Sequence, residues 1–413
     1  MKCRHCASAL RLPFLDLGSA PPSNAYLTEN GLRAPEVWFP LRLLVCESCW
    51  LVQTEDHAGR EALFTGDYAY FSSFSTSWLA HAEAYVRAMA ARFGLNAASC
   101  VVEIAANDGY LLQYVKAAGI PCYGVEPTAS TATAARAKGI EIVERFFGVE
   151  LADELAGADK QVDLIVANNV LAHVPDINDF VAGFTRLLKP TGVATFEFPH
   201  LLRMVQENQF DTAYHEHYSY LSLTTAERIF ARCGLTVFDV EELPTHGGSL
   251  RVFAQRSDSG RQVASPRVVA LRKIETEAGI ATAAFYSGFQ AKAEKVKDDF
   301  VGFLIDARRQ GLKVGAYGAA AKGNTLLNFA GVRPDLLPYV ADKNPAKQGR
   351  FMPASRIPIV DEAHLRTDRP DRIVILPWNL RQEVMAQLDY VREWGGQFVT
   401  AVPALAISEG RTA

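Results

Sequence analysis

The sequence predicts an α/β protein in three segments: a small metal-stapled module, then two Rossmann-like α/β units in series. Three observations carry that reading. Two CxxC pairs, Cys3-Arg-His-Cys6 and Cys46-Glu-Ser-Cys49, open the chain. From Cys100 to Phe198, short apolar runs alternate with helical periodicity, which calls for a mostly parallel sheet covered by helices on both faces. From Lys313 a second alternation begins. The length of 413 residues suits about three units at ~150 residues per domain, and 49% apolar content can fill several cores.

The first segment, residues 1–66, is read as a zinc module. Each CxxC pair can chelate one edge of a tetrahedral ion, and the 39 residues between the pairs let them meet. Ligation by Cys3, Cys6, Cys46 and Cys49 leaves no open position, so Zn2+ would staple the fold and take no part in chemistry. His5 is a substitute ligand, and two disulfides are the competing reading. The intervening residues are rich in turn formers and end in a strand-like run. A unit this small buries little apolar area, so the metal would supply folding free energy. Charges and cysteines occupy the first twenty residues, where a signal peptide needs an apolar run. With an odd total of seven cysteines, this predicts a reducing, cytoplasmic location. No run approaches the ~20 apolar residues of a membrane span. A net charge of −4 without basic clusters argues against nucleic acid.

The middle segment, 67–256, opens with helical periodicity over residues 78–95. The predicted order is then strand 100–105, helix 110–118, strand 122–126, helix 130–138, a short strand from Glu141, strand 162–167, helix 177–188 and strand 193–198. Residues 235–240 and 250–255 read as closing strands around the turn Thr245-His-Gly-Gly248. Residues 257–310 are a polar linker and a long helical stretch. In the last segment, 311–413, strands are predicted over 313–317, 339–342, 372–376 and 398–402, with a Gly/Ala-rich turn over 318–324 and a helix over 325–330.

Chemistry concentrates at strand ends. Glu103-Ile-Ala-Ala-Asn-Asp-Gly109 follows a buried strand and opens a helix, and its small residues let backbone approach a ligand. Glu103, Ala105, Asn107 and Gly109 are candidates there. Glu126 ends the next strand, 17 residues past Gly109, where a carboxylate can accept both hydroxyls of a ribose. That suits a dinucleotide or S-adenosylmethionine, and the missing GxGxxG weakens the NAD reading. Asn168, Asn169 and His173 follow the fourth strand, where ligands of open α/β sheets lie; a capping or packing role is the alternative for His173.

The run Tyr214-His-Glu-His-Tyr-Ser-Tyr220 holds too many polar atoms for a core. It offers acid, base and phenol together and reads as a general acid–base centre. Its HxH spacing is weak evidence for a second metal. His246, in a Gly-Gly turn, is a further candidate or a surface histidine. Tyr68 lies in an aromatic–hydroxyl run that either packs between domains or sends a phenol into the site. The stretch Gly315-Ala-Tyr-Gly-Ala-Ala-Ala-Lys322-Gly-Asn324 starts a helix after a strand, which suits a pyrophosphate with Lys322 and Asn324 nearby. Asp342 and Lys347 follow the next strand and are placed to meet a nucleoside or sugar. The alternative is a nucleotide fold kept for packing or dimerisation.

Taken together, the cysteine pairs, Tyr68–Tyr70, Glu103–Gly109, Asn168–His173, Tyr214–His217, His246–Arg251 and Gly315–Asn324 resemble the sugar C-methyltransferases acting on nucleotide-linked 4-keto deoxysugars, which include the C-3′ enzyme of tetronitrose biosynthesis. The likeness spans essentially the whole chain. It implies a zinc module, a central methyltransferase domain binding S-adenosylmethionine, and a C-terminal Rossmann-like domain, with a sugar nucleotide, dTDP-linked, between the last two. It places Tyr68, His173, Tyr214, Glu216 and His217 around the reacting sugar, and Glu126 on the cofactor ribose. Ala105 stands where the methyltransferase motif more often has glycine. The implied reaction removes a proton beside the ketone and lets the enolate attack the sulfonium methyl. His217 is the expected base, with Tyr214 the alternative. C-5′ methylation and an NAD-dependent oxidoreductase are the competing functions.

Overall fold

The structure is a computed structural model that describes residues 1–55, 57 and 71–408. Before residue 55 lie β1 (Leu12–Ala20), β2 (Phe39–Val45) and β3 (Val52–Thr54). The middle of the chain forms β4 (Val101–Ile104), β5 (Cys122–Val125), β6 (Glu141–Val143), β7 (Val162–Asn168), β8 (Leu188–Pro199), β9 (Ser219–Tyr220), β10 (Leu235–Leu243) and β11 (Ser249–Arg256). The remainder carries β12 (Val314–Tyr317), β13 (Val340–Ala341), β14 (Ile359–Val360), β15 (Arg372–Ile375), β16 (Gln397–Thr400) and β17 (Ala406–Ile407).

These strands make three sheets. The first is antiparallel in the order β1-β2-β3-β9. The second runs β10-β11-β8-β7-β4-β5-β6, and β11 alone is antiparallel to the rest. The third runs β14-β13-β12-β15-β16-β17, parallel except for β17. All four residues of β4 are buried, as expected of a strand covered on both faces.

Caps and apolar periodicity set the helices. Helix Ile177–Leu187 starts where the Asp176 side chain accepts from the Asp179 N–H, and it buries Ile177, Phe180, Val181, Phe184 and Leu187 on one face. Helix Thr76–Phe93 is capped by Ser75 and stopped by Gly94 in the left-handed region. The run read as a turn after β12 is partly helical: helix Ala321–Phe329 starts four residues earlier than predicted. The turn before it needs glycine, because Gly318 has φ 90° and a Cβ there would collide with Pro377. Helices Val149–Gly157, Leu201–Gln206 and Leu223–Arg232 were not among the sequence predictions.

Both parallel sheets have a switch point, where connections leave a strand pair toward opposite edges. In the second sheet it lies beyond β4 and β7, and in the third beyond β12 and β15. The cores cross between sheets. Cys3, Cys46, Cys49 and Leu51 pack into the same core as Phe196, Leu221 and Phe230. Phe14 and Leu43 share another with Phe289, Val314 and Leu326. The N-terminal sheet is therefore not a lone unit held by metal alone. Among the described residues, no helix is long and apolar enough to cross a membrane.

Phe289 is 1% exposed and stacks on Phe14 at 4.6 Å. Phe289→Ala should destabilise the chain by about 3–5 kcal/mol, read as a lower urea midpoint.

Candidate active site

β4 leads into the loop Ala105–Gly109, where Ala105 (φ 59°), Asn107 (φ 49°) and Gly109 (φ 73°) are all left-handed. Ala105 carries a Cβ in a region that favours glycine. At Gly109 a Cβ would collide with Ile140. Glu126, just past β5, braces the loop: Oε2 accepts from the Asn107 N–H and Oε1 from the Thr128 N–H, both at 2.9 Å. A carboxylate has lone pairs beyond these two bonds, so Glu126 can still accept from a ligand.

A cleft opens at the ends of β4, β5 and β7, bordered by Ala105, Asn107, Glu126, Asn168 and His173. Asn168 and Glu103 both face the Tyr110 hydroxyl, and among the described residues neither side chain has another hydrogen-bonded partner. Burial drives the Glu103 carboxyl well above its usual range. An unsatisfied buried polar atom costs about 1–3 kcal/mol, so the cleft suits a polar ligand. These residues fit S-adenosylmethionine: Glu126 for the ribose, Asn168 for a polar edge, and the Ala105–Gly109 backbone for close approach.

His173 sits in a short 3₁₀ turn after β7 and borders the cleft. Its Nδ1 lies 2.8 Å from the Glu216 carbonyl. A carbonyl only accepts, so Nδ1 carries the proton and Nε2 is the basic nitrogen. The His217 ring is 4.6 Å away. His217 Nδ1 donates to the Thr212 carbonyl at 2.9 Å, and the Tyr214 hydroxyl donates to its Nε2 at 2.6 Å. Burial lowers the pKa of His173 to about 4 and pushes that of His217 well below its ordinary value. Both rings are neutral at pH 7. Glu216 is shifted the other way: burial raises its carboxyl to about 7, against a 2.6 Å bond from Asn24 Nδ2 to Oε2.

His246 takes φ 55° between β10 and β11, and Asn169, also left-handed at φ 52°, donates to its Nε2 at 3.0 Å. Trp78 meets the His246 ring edge-on at 5.3 Å and stacks on Tyr110, linking this loop to the cofactor cleft. Lys322 reaches in from the third sheet, donating to the His246 carbonyl at 3.1 Å and lying over the Trp378 ring. Trp378 Nε1 donates to Asp211 at 2.7 Å. Burial lowers the Lys322 ammonium and raises Asp211 to about 6.

The other C-terminal candidates are engaged inside the protein. Asp342 Oδ2 accepts from the Ala319 N–H at 2.7 Å, the amide expected to face a pyrophosphate. Lys347 donates to the Ala319 carbonyl at 2.7 Å. Asn324 is fully buried and donates to the Ser23 carbonyl, so the structure does not bring it to an open surface. Tyr68 lies outside the described residues. Asn24 went unnoticed in the sequence because only the fold places it beside Glu216, and Pro21-Pro22-Ser23 before it reads as turn alone.

The four N-terminal sulfurs lie within 4.8 Å of one another, with Cys3–Cys49 and Cys6–Cys46 Sγ pairs at 3.5 Å and no disulfide. A tetrahedral ion with ~2.3 Å Zn–S bonds has edges of roughly 3.8 Å, so the set fits structural zinc. Ala7 and Trp50, each directly after the second cysteine of its pair, share φ 61° and 64°. The two turns are near copies. His5 is not a ligand; its Nδ1 donates to Asn178 Oδ1 at 2.7 Å.

Fold and cleft define an S-adenosylmethionine-dependent methyltransferase. Family descriptions agree by segment: residues 3–64 match a zinc binding domain, 78–240 a methyltransferase domain and 244–403 a C-methyltransferase C-terminal domain. The chain is 32% identical to C-methyltransferase NovU of Streptomyces niveus over 97% of its own length and 95% of that protein. It belongs to this C-methyltransferase family, and its reaction is methyl transfer to carbon rather than hydride transfer. Among solved structures, a magnesium protoporphyrin IX methyltransferase from Synechocystis is 16% identical, covering 43% of this chain and 79% of that one at a TM-score of 0.34. An S-adenosylmethionine-dependent methyltransferase from Archaeoglobus fulgidus is 14% identical, covering 43% and 94% at a TM-score of 0.36. At these scores neither adds to the assignment.

Two outcomes follow. Glu126→Ala removes a charged acceptor worth about 1.5–3 kcal/mol, and calorimetry should show S-adenosylmethionine binding weakened about 10–100-fold. The folded Glu216 holds its proton to about pH 7, above its unfolded value. Its stabilising contribution is full below the unfolded pKa and is lost as pH rises through 7. Glu216→Gln should therefore raise the unfolding midpoint at pH 8 and leave it unchanged at pH 4.5.

Proposed function

We propose that this enzyme methylates C-3′, the carbon beside the 4-keto group, of a nucleotide-linked deoxysugar through an enolate. One observation carries the reading: His173, on the wall of the cofactor cleft, packs 4.6 Å from His217, whose Nε2 takes the Tyr214 hydroxyl at 2.6 Å. Proton-transfer groups thus adjoin the place where the methyl donor fits. S-adenosylmethionine, when bound, supplies the electrophilic methyl group.

The chain's own task is to move a proton and hold the charge that results. His217 is the base, acting through Tyr214: the phenol oxygen takes the proton from the sugar carbon as its own proton passes to His217 Nε2. Burial disfavours a lone imidazolium there, but the enolate formed alongside supplies the opposite charge. Neutral His173 has its proton on Nδ1, bound to the Glu216 carbonyl, so Nε2 can accept from a sugar hydroxyl but cannot donate to an oxyanion. Glu216, protonated to about pH 7, is the donor assigned to the enolate oxygen. Tyr68 positions the sugar. His246 and Lys322 are assigned to the sugar nucleotide, dTDP-linked, with the lysine supplying charge that suits a diphosphate, while Asp342 and Lys347, both bonded to Ala319, are assigned to shaping the loop that meets it. Asn324 acts indirectly, by holding the loop that carries Asn24.

The test is mass spectrometry of the enzyme with S-adenosylmethionine and a panel of dTDP-linked 4-keto-6-deoxysugars in deuterated water. One sugar should gain a methyl group, and His217→Asn and Tyr214→Phe should slow turnover by about 10²–10⁴-fold. Neither methylation nor deuterium exchange beside the ketone, with cofactor binding intact, would sink the reading.

A further inference from the structure

Arg4 sits inside the first cysteine turn, between Cys3 and Cys6, yet its side chain leaves the metal site. Its guanidinium donates from Nη2 to the Thr54 carbonyl at 2.8 Å and from Nη1 to the Pro175 carbonyl at 3.2 Å. It also lies over the Tyr218 ring at 5.1 Å. Pro175 is two residues past His173, and Tyr218 directly follows His217. One cation thus contacts both segments that carry the proposed acid–base groups.

The surrounding bonds make this a framework. Gln53 accepts from the Arg4 N–H at 3.0 Å and donates to Cys3 Sγ at 3.4 Å, tying Arg4 to a zinc ligand. Thr54 Oγ1 donates to the His217 carbonyl at 2.7 Å, and the Tyr218 N–H donates to the Ala172 carbonyl at 2.8 Å. Asn178 closes the far side, donating to the Arg4 and His5 carbonyls at 3.3 and 2.8 Å. A guanidinium suits this place because its fixed fork serves two carbonyls at once and stays charged.

Resting on the acid–base reading above, we propose that Arg4 is a positioning residue: it fixes the His173 segment against the His217 segment, so the cysteine-stapled turn sets the geometry of methyl transfer. A misplacement of ~1 Å at a reacting group can cost about 10²-fold in rate, and loss of outer partners commonly costs 10–100-fold.

The test uses the full chain labelled with ¹³Cε1-histidine, the His173 and His217 signals being assigned by His173→Asn and His217→Asn. In Arg4→Ala, zinc content and S-adenosylmethionine affinity should match the parent. Both histidine signals should move, and the His364 signal, from the C-terminal segment, should not. Thr54→Val, which loses only the bond to the His217 carbonyl, should move the His217 signal alone. On the methylated sugar, Arg4→Ala should lower kcat about 10–100-fold with KM for the cofactor unchanged, and Arg4→Lys should recover part of it. Unmoved His173 and His217 signals in Arg4→Ala would overturn the proposal. So would loss of zinc together with the signal changes, because Arg4 would then serve the metal turn itself. A parent enzyme that methylates no sugar of the panel would sink the substrate reading, leaving the histidine signals to decide on Arg4.

Discussion

A two-residue strand holds the Tyr214–His217 segment in place. β9 pairs with β3 through Val52–Tyr220 and Gln53–Ser219, directly after the run Tyr214–His217. That run has no regular structure to satisfy its backbone, and buried backbone groups need partners. Thr54 and Ala172 supply them at His217 and Tyr218, while the His215 ring reaches the Phe39 and Pro40 carbonyls. The N-terminal module is thus a wall of the site, and its cysteines pack in the same core as the central sheet.

Water exclusion sets the electrostatics. Burial is the first cause of the shifts at His173, His217, His246, Glu216 and Asp211. Each moves toward its neutral form, as desolvation requires. The cluster around His217 therefore holds neutral imidazoles at pH 7 and a carboxyl that keeps its proton to about pH 7. Charge created there during reaction meets little screening and strong local dipoles. Lys322, a half-buried cation nearby, is balanced by Asp211 across Trp378. That trio joins the third sheet to the His246 loop and so to the central domain.

Much of this was legible in the sequence. The cysteine pairs were readable because metal chelation is local chemistry with fixed spacing. The strand alternation was readable because parallel strands covered on both faces are continuous apolar runs. That Ala105, Asn107 and Glu126 border the cleft was readable because the switch point of an α/β sheet fixes where a crevice opens. Tyr214–His217 stood out by its density of titratable groups, but the expectation that such a run stays out of a core fails: His215, Glu216 and His217 are buried, polar atoms of each being met by backbone carbonyls or by Asn24. The start of helix Ala321–Phe329 was misread, since its alanines favour helix while the flanking glycines favour a turn, and the close packing of Gly323 on Leu376 decides between them. The engagement of Asp342 and Lys347 at Ala319 was invisible because both bonds cross from one strand end to another.

By itself the sequence determined the α/β class and the metal ligands, and it singled out Ala105–Gly109 and Tyr214–His217 as candidates, because each is encoded within a few neighbouring residues. Only the tertiary structure decided how those groups work together. It brought Asn24 to Glu216 across 192 residues and set Arg4 against Pro175 across 171. It also fixed the histidine tautomers, through carbonyls of the residues that surround them. Contacts at such separations leave no periodicity in the chain; they exist only once shared cores have brought the three sheets together.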